Sequence, residues 1–475
     1  MINPLKILPL KTPLRLDPNS SNKSDLKTMV RKHGLWMGAF FICAGVTATG
    51  WGYRHFHEKA QVAQIEAAKS KGFSKDAIAR ALDSAGAFHS FPGELEVTLD
   101  GKKQKVVVQY AFDPKLQEAM ESQFKSYRPD YGAFVAIDAV TGRVLSMVSY
   151  SARGDISDNL ALRATFPSAS VFKLVTAAAA ISENNFSGAT VIPFSGRDHT
   201  LYRSNIVGSK MNRWTRYITL KKAFAKSVNT VFGRIGAYTV GANRLGDYAD
   251  RFGFNHKIVA DVPIQEGRAF IQNDPWLLAE SASGYTLDNT MSPFQGAMMA
   301  ATIANDGQMM EPYAIDSIHT PDGAELYASQ PVRGKVAVSA ATAAEVRDLM
   351  RETVASGTSR KSFRGFFKGA FSGLEVGGKT GSLTGFNPVG KYDWFVGYAD
   401  GGSHRIAIAA LTVHGKLWRV KSSYLARKAM EAFFKGKKII NTKVARTPAS
   451  KPSTAILRNA TEQTSPHVTM AVARE

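Results

Sequence analysis

The sequence predicts an α+β fold, an antiparallel sheet with flanking helices, preceded by one transmembrane helix. Three observations carry that expectation. Period-two apolar patterns gather in two early hairpins and two late strands, and helical periodicity fills the residues between them. Leu35–Tyr53 contains no charged residue and has the length a bilayer crossing needs. With 475 residues, 44% hydrophobic and 21% charged, the chain has room for one large domain and a smaller one.

The leader, residues 1–34, carries Lys6, Lys11, Arg15, Lys23, Lys27, Arg31 and Lys32 against Asp17 and Asp25. By the positive-inside rule it stays in the cytoplasm and everything after Tyr53 is exported, so the protein is expected in the cytoplasmic (inner) membrane. Trp36 at one end of the span, and Trp51 and Tyr53 at the other, suit the interfacial belts. A cleavable signal peptide would end near Val46-Thr47-Ala48. The basic leader is longer than a signal n-region, which favours an uncleaved anchor, with Cys43 a small apolar residue inside it. That single cysteine excludes an internal disulfide framework and a multi-cysteine zinc site.

Residues 54–104 read as a juxtamembrane segment with one or two helices, and the His55-x-His57 pair lacks a third metal ligand. Leu95–Phe112 alternates around Asp100-Gly101, a hairpin signal. Asp113 and Pro114 open an amphipathic helix as N-cap and first residue. Ala133–Tyr150 forms a second hairpin turning at Thr141-Gly142. Helices are expected at Val171–Ser182, Leu220–Tyr238, Pro293–Asn305 and Ala341–Ala355, and strands at Trp394–Ala399 and Arg405–Val413. Residues 436–475 form a basic Lys/Thr/Ser/Pro-rich tail with too few apolar residues to fold alone. The net charge of +21 raises nucleic acid as a partner. Its cations are scattered, however, and no zinc-finger spacing or basic heptad region appears, so the expected partners are an anionic membrane or wall polymer and no nucleic acid.

Ser170 and Lys173 form an S-x-x-K pair at the start of an apolar helix. The same spacing recurs at Ser20/Lys23 and Ser24/Lys27 in the cytoplasmic leader, and at Ser122/Lys125 on the charged face of the Asp113 helix. Acyl transfer needs a hydroxyl with a base in hydrogen-bond reach, and a lysine one helical turn on supplies it once burial and a neighbouring cation lower its pKa. Two further elements follow in order: Ser227-Val228-Asn229, and the chain's one K-T-G, Lys379-Thr380-Gly381. S-x-N alone is weak, since it also occurs at Ser20, Ser157 and Ser182. Gly373–Thr380 fits the Walker A spacing, but "GSLTGFNPVG" after it is no helix. Met298/Met299 and Met309/Met310 read as core filling, and Trp394 with Phe395 as core and cleft wall.

Together these elements resemble the transpeptidase domain of penicillin-binding proteins over about Lys105 to Phe434. "YITLKKAFAKSVNTVFGRIG", "MSPFQGAMMAATIANDGQMMEPY", "MRETVASGTSRK" and "YDWFVGYA" are similar to the segments that surround the family's motifs. The resemblance implies a penicillin-binding/serine β-lactamase-like fold at 105–435. It also implies a D,D-transpeptidase that cross-links peptidoglycan stem peptides through a Ser170 acyl-enzyme, is inhibited by β-lactams, and needs no cofactor or metal. Lys173 would be the base, Ser227 the relay to the leaving amine, and Asn229 the holder of the substrate's peptide amide. Lys379 and Thr380 would take the terminal carboxylate, Gly381 would allow close approach, and the backbone N–H groups of Ser170 and Ser382 would form the oxyanion hole. Two departures stand out: Ser382 replaces the more frequent threonine, and Pro167-Ser168-Ala169 precedes Ser170 where many members have a glycine. A D,D-carboxypeptidase and a β-lactam sensor or non-catalytic scaffold remain alternatives, and other wall-synthesis proteins are further partners the resemblance leaves open. A β-lactamase is disfavoured, because Glu266 in "EGRAF" lacks the E-x-x-L-N setting of a deacylating glutamate.

Overall fold

The computed structural model describes residues 73–208 and 210–440. Its centre is a five-stranded antiparallel sheet in the order Glu375–Phe386, Val389–Asp400, Arg405–His414, Tyr131–Asp138, Val144–Ser151. Early and late segments meet where Arg405–His414 pairs with Tyr131–Asp138, Ala409 opposite Val135. Nearly every residue of these two strands is buried, because the sheet is covered on both faces. Alternation sorts the side chains: Ala133, Val135, Ile137, Trp394, Val396, Ala407 and Ala409 join one core with Phe294 and Ala297 of the Pro293–Ala304 helix. Phe134, Ala136, Phe395, Ile406 and Ile408 join the other, with Leu116, Met120 and Phe124 of the Pro114–Tyr127 helix and Leu425 and Met430 of Ser422–Phe434.

Local signals explain the element ends. Asp100 and Gly101 both take positive φ (48° and 74°), as a two-residue hairpin turn requires. Asp113 accepts from the Leu116 N–H at 3.1 Å, capping the helix that Pro114 opens. Gly142 turns the second hairpin at φ 81°, where a Cβ would lie 2.6 Å from the Glu311 carbonyl oxygen.

Three expectations need correction. The boundary at 104/105 cuts through a hairpin, since Val97 pairs with Gln104 and Glu94–Leu99 and Lys102–Tyr110 form one ladder. That hairpin joins Ile315–His319 and Glu325–Ala328 in a four-stranded sheet, and one compact unit begins at Phe73. The Lys75–Ser84 helix buries Ile78 and Leu82 in the main core, and Lys75 pairs with Glu311 at 2.9 Å. The helix expected over Leu220–Tyr238 is broken into Leu220–Lys226 and Asn229–Ile235, then a π turn at Gly236–Val240. Ser227 causes the break by adopting φ 58°, a left-handed conformation that ends the first helix. The Ser170 helix proper begins at Lys173, behind a 3₁₀ turn over Ala169–Phe172.

The leader, the Leu35–Tyr53 anchor, Cys43, the His55/His57 pair and residues 441–475 lie outside the described residues. Among the described residues no helix is long and apolar enough to cross a membrane. Trp394, Phe395 and Met299 are wholly buried and Met298 nearly so, and the Walker-like segment runs into a strand instead of a helix.

Because Leu82 is 1% exposed in the shared core, Leu82→Ala is expected to destabilise the whole unit by about 2–4 kcal/mol in a single urea transition. Unchanged stability would mean that residues 73–99 fold apart from the sheet.

Candidate active site

Ser170 stands in the 3₁₀ turn, one residue after Ala169, which is fully buried at φ 47°. An alanine pays for this left-handed conformation where glycine would not, so the departure from glycine noted in the sequence falls on a strained position. Neighbours hold it there. The Ser168 N–H donates to the Asn289 carbonyl at 2.7 Å, and Gly284, at φ 66°, packs so closely that a Cβ would lie 1.9 Å from the Ala169 oxygen. Gly381 of the Glu375–Phe386 strand closes the other side, where a Cβ would sit 3.3 Å from both the Ala169 Cβ and the Ser170 nitrogen. Its glycine therefore lets an edge strand approach the serine's backbone N–H.

Lys173 begins the helix and is fully buried. Its Nζ lies 2.8 Å from Ser170 Oγ, 2.8 Å from Asn229 Oδ1 and 2.5 Å from the Ser283 carbonyl oxygen. Burial first, and the positive charge of Lys379 second, hold its pKa well below the ordinary lysine value. A neutral amine has two N–H donors and one lone pair. In that form the amide and carbonyl oxygens, which can only accept, would take both donors and leave the lone pair for the Ser170 hydroxyl. Asn229 is itself fixed: its Nδ2 donates to the His199 carbonyl at 2.9 Å and its backbone N–H to the Asp198 carbonyl at 2.8 Å.

Lys379 forms the second buried cation. Its Nζ donates to Ser227 Oγ at 2.9 Å and to the Thr380 carbonyl at 2.8 Å, and burial alone lowers its pKa to about 7. Among the described residues neither lysine takes part in an ion pair, and no cluster of three metal-ligating side chains occurs. Aromatic rings wall the chamber: Phe232 lies 5.8 Å from Lys173 Nζ, Phe224 lies 5.5 Å from Lys379 Nζ, and the two rings meet edge-on. Thr380 is half-buried beyond Lys379, its hydroxyl 2.6 Å from that of Thr358, and Ser382 is exposed on the same strand.

The structure thus brings Ser170, Lys173, Ser227, Asn229, Lys379, Thr380 and Gly381 into one connected cluster. This is the constellation for transferring an acyl group through a serine, and the comparisons with known proteins agree. Residues 132–435 match the penicillin binding protein transpeptidase domain. The chain belongs to this family. It is 32% identical over 253 residues to the peptidoglycan D,D-transpeptidase PbpA of Mycolicibacterium smegmatis, covering 47% of this chain and 50% of that protein. Identity to PbpA of Mycobacterium tuberculosis H37Rv is 28% over 343 residues, 65% of this chain and 67% of that one. The chain therefore spans half to two thirds of the length of these relatives. Among solved structures, the D,D-transpeptidase domain of an Eggerthella lenta peptidoglycan glycosyltransferase superposes with TM-score 0.58 at 27% identity, covering 72% of this chain and 86% of that one. The imipenem acyl-enzyme complex of penicillin-binding protein A from M. tuberculosis gives TM-score 0.55 at 26% identity, covering 68% and 79%.

Within this penicillin-binding family fold, the competing motif matches fall away. Ser122 is exposed on the Pro114–Tyr127 helix, and Ser20 and Ser24 lie outside the described residues. Sequence reasoning missed the Ser283 carbonyl, the carbonyls of Asp198 and His199, and Thr358. A backbone carbonyl leaves no residue-type signature. The one available signal was Gly284, which reads as an ordinary helix stop after Pro275–Ser283.

The lysines give a pH test. Lys379 titrates at about 7 in the fold against 10.5 for a free lysine, so between these values the unfolded chain binds more protons. Stability is therefore expected to rise with pH across that window, by at most about 1.4 kcal/mol per pH unit for each such lysine. Urea unfolding at pH 7 and pH 9 checks this, and Lys379→Met should flatten the slope; a slope of the opposite sign would contradict the buried, uncompensated charge.

Proposed function

We propose that this protein is a membrane-anchored D,D-transpeptidase that cross-links peptidoglycan stem peptides through an acyl-enzyme on Ser170 and is inhibited by β-lactams. The observation that carries the reading is the buried Lys173 amine, 2.8 Å from Ser170 Oγ and held there by Asn229 Oδ1 and the Ser283 carbonyl oxygen. Ser170 Oγ attacks the carbonyl carbon of the penultimate D-alanine while its proton passes to the Lys173 lone pair. The developing oxyanion lies against the backbone N–H groups of Ser170 and Ser382. As the peptide C–N bond breaks, Ser227 hands its proton to the departing D-alanine amine and is replenished by the proton Lys173 took from Ser170, leaving a neutral Lys173 and an ester on Ser170. An acceptor amine from a second stem peptide then attacks that ester, its proton goes to Lys173, and as the new peptide bond forms the ester C–O bond breaks and Lys173 returns the proton to Ser170 Oγ. Asn229 holds the donor's peptide amide, and Lys379 with Thr380 takes the terminal carboxylate. The names of the M. tuberculosis structures, acyl-enzyme complexes with imipenem and penicillin G, support the β-lactam part of the reading. Anchoring by Leu35–Tyr53, with the catalytic part exported, rests on the leader's excess of lysine and arginine.

Ser170→Ala is expected to abolish covalent labelling by a fluorescent penicillin while leaving the thermal transition in place. Persistent labelling of the folded variant would remove the nucleophile assignment and the mechanism with it.

A second expectation separates a penicillin target from a penicillin destroyer. Glu266 is exposed, and among the described residues no carboxylate contacts Ser170 or Lys173 that could activate water against the ester. A penicilloyl group on Ser170 should therefore persist for many minutes in a chase, equally in wild type and Glu266→Gln. Fast release that the glutamine variant loses would make this a β-lactamase.

A further inference from the structure

We infer that Thr358 is a positioning residue of the carboxylate subsite, acting through the hydroxyl of Thr380. The inference rests on the transpeptidase reading for the ligand and on the geometry of one turn for the residue.

Thr358 lies in the turn that leaves the Ala340–Ala355 helix, 22 residues before Thr380, and its Oγ1 is 2.6 Å from Thr380 Oγ1. The turn is clamped. The Gly357 N–H donates to Glu352 O at 3.0 Å, the Ser359 N–H to Thr353 O at 3.1 Å, and the Thr358 N–H to Ala225 O at 3.1 Å. At Gly357 a Cβ would lie 2.3 Å from the Ala225 oxygen, so the turn is pressed against the end of the Leu220–Lys226 helix, two residues from Ser227. Three segments thus converge on one spot, carrying Ser227, Thr380 and Thr358. Both threonine hydroxyls are at least partly open to solvent, and Lys379 Nζ sits behind them on Ser227 Oγ and the Thr380 carbonyl.

A threonine hydroxyl has one proton and rotates freely unless a partner fixes it. When two hydroxyls are bonded to each other, one proton is used between them and one is left over. A carboxylate only accepts, so binding it to Thr380 requires the Thr380 proton to point at the ligand. Thr380 Oγ1 must then accept the proton of Thr358. The order is Thr358 O–H to Thr380 Oγ1, then Thr380 O–H to the carboxylate, and each bond polarises the next. Thr358 therefore sets the direction of the Thr380 donor before the ligand arrives.

The test uses two thioester substrates, N-benzoyl-D-alanyl-thioglycolate and its thioglycolamide, which differ only in the terminal carboxylate. Second-order rate constants for acylation of Ser170 are measured for wild type, Thr358→Val and Thr358→Ser. Thr358→Val should slow the carboxylate substrate about tenfold while leaving the carboxamide within about twofold, and Thr358→Ser should restore the carboxylate rate to within about twofold of wild type. The ratio of the two constants does not depend on how much of a variant is folded, so it reads the effect even if the valine variant is less stable. An equal loss on both substrates, no loss on either, or failure of serine to restore the rate would overturn the inference. A wild-type enzyme that the carboxylate thioester fails to acylate would overturn the transpeptidase reading itself.

Discussion

Two lysine side chains, Lys173 and Lys379, buried beside each other with no counter-ion among the described residues are the constraint on which the rest of the site depends. Taking one ammonium out of water is costly, and a second nearby raises the cost, because like charges interact more strongly in a dry interior than in solvent. The fold relieves the cost by letting the protons go. Burial and the charge of Lys379 push the Lys173 pKa well down, and burial brings that of Lys379 down to about 7. The carbonyl and amide oxygens around Lys173 accept hydrogen bonds without adding negative charge, so they orient the amine without raising its basicity as a carboxylate would. A carboxylate in their place would keep Lys173 protonated and remove the base.

That arrangement couples binding to chemistry. A ligand carboxylate brings the missing negative charge to Lys379 and favours its protonated form. The charge gained on Lys379 in turn disfavours protonation of Lys173, which must be neutral at the moment Ser170 attacks. Under the proposed mechanism the substrate's own carboxylate thus helps to keep the base ready, and a ligand without one loses more than a contact. Backbone strain serves the same geometry. Ala169 and Ser227 are both in the left-handed region, one turning the nucleophile's N–H toward Gly381, the other placing its hydroxyl on Lys379. Such conformations persist only where the surroundings over-determine them, and here a two-sided apolar core does so.

The parts of the fold that were legible from sequence are those where residue type and position carry the signal together. Asp100-Gly101 turns a hairpin because both positions need positive φ, and Asp113-Pro114 opens a helix because a side chain and a missing N–H suit its first turn. Ser170 and Lys173 were legible as a hydroxyl with a base one helical turn away, and Asn229 and Lys379 through the resemblance of their motifs to the penicillin-binding family. Ser227 was found as a residue but not as a helix break, since "KKAFAKSVNTVFGRIG" keeps apolar residues at helical spacing across it and contains no proline. The break comes from tertiary demands, the Lys379 bond and the packing of Ala225 against Gly357. The boundary at 104/105 failed for a related reason. The hairpin itself was legible in its alternation, but the strand that ties it to the main unit, Ile315–His319, is about two hundred residues away.

The same absence of negative charge bears on the second half of the reaction. An acceptor amine arrives in water mainly as an ammonium ion, and only its neutral form can attack the ester on Ser170. After acylation Lys173 has carried a proton and passed it on, and Lys379 is free of the departed D-alanine's carboxylate. An incoming ammonium then meets a pocket lined by two lysines and by no carboxylate, where its charge is unfavourable and its proton is easily given up. A neutral amine pays no such penalty, and the Lys173 lone pair, still aligned by Asn229 and Ser283, is placed to take its remaining proton as the new bond forms. Water has no charge to lose and gains nothing from this selection, and with no carboxylate beside Ser170 to polarise it, it remains a poor competitor for the ester. Under the proposed mechanism, the chamber that makes Ser170 nucleophilic thereby also favours attack on the ester by a neutral amine.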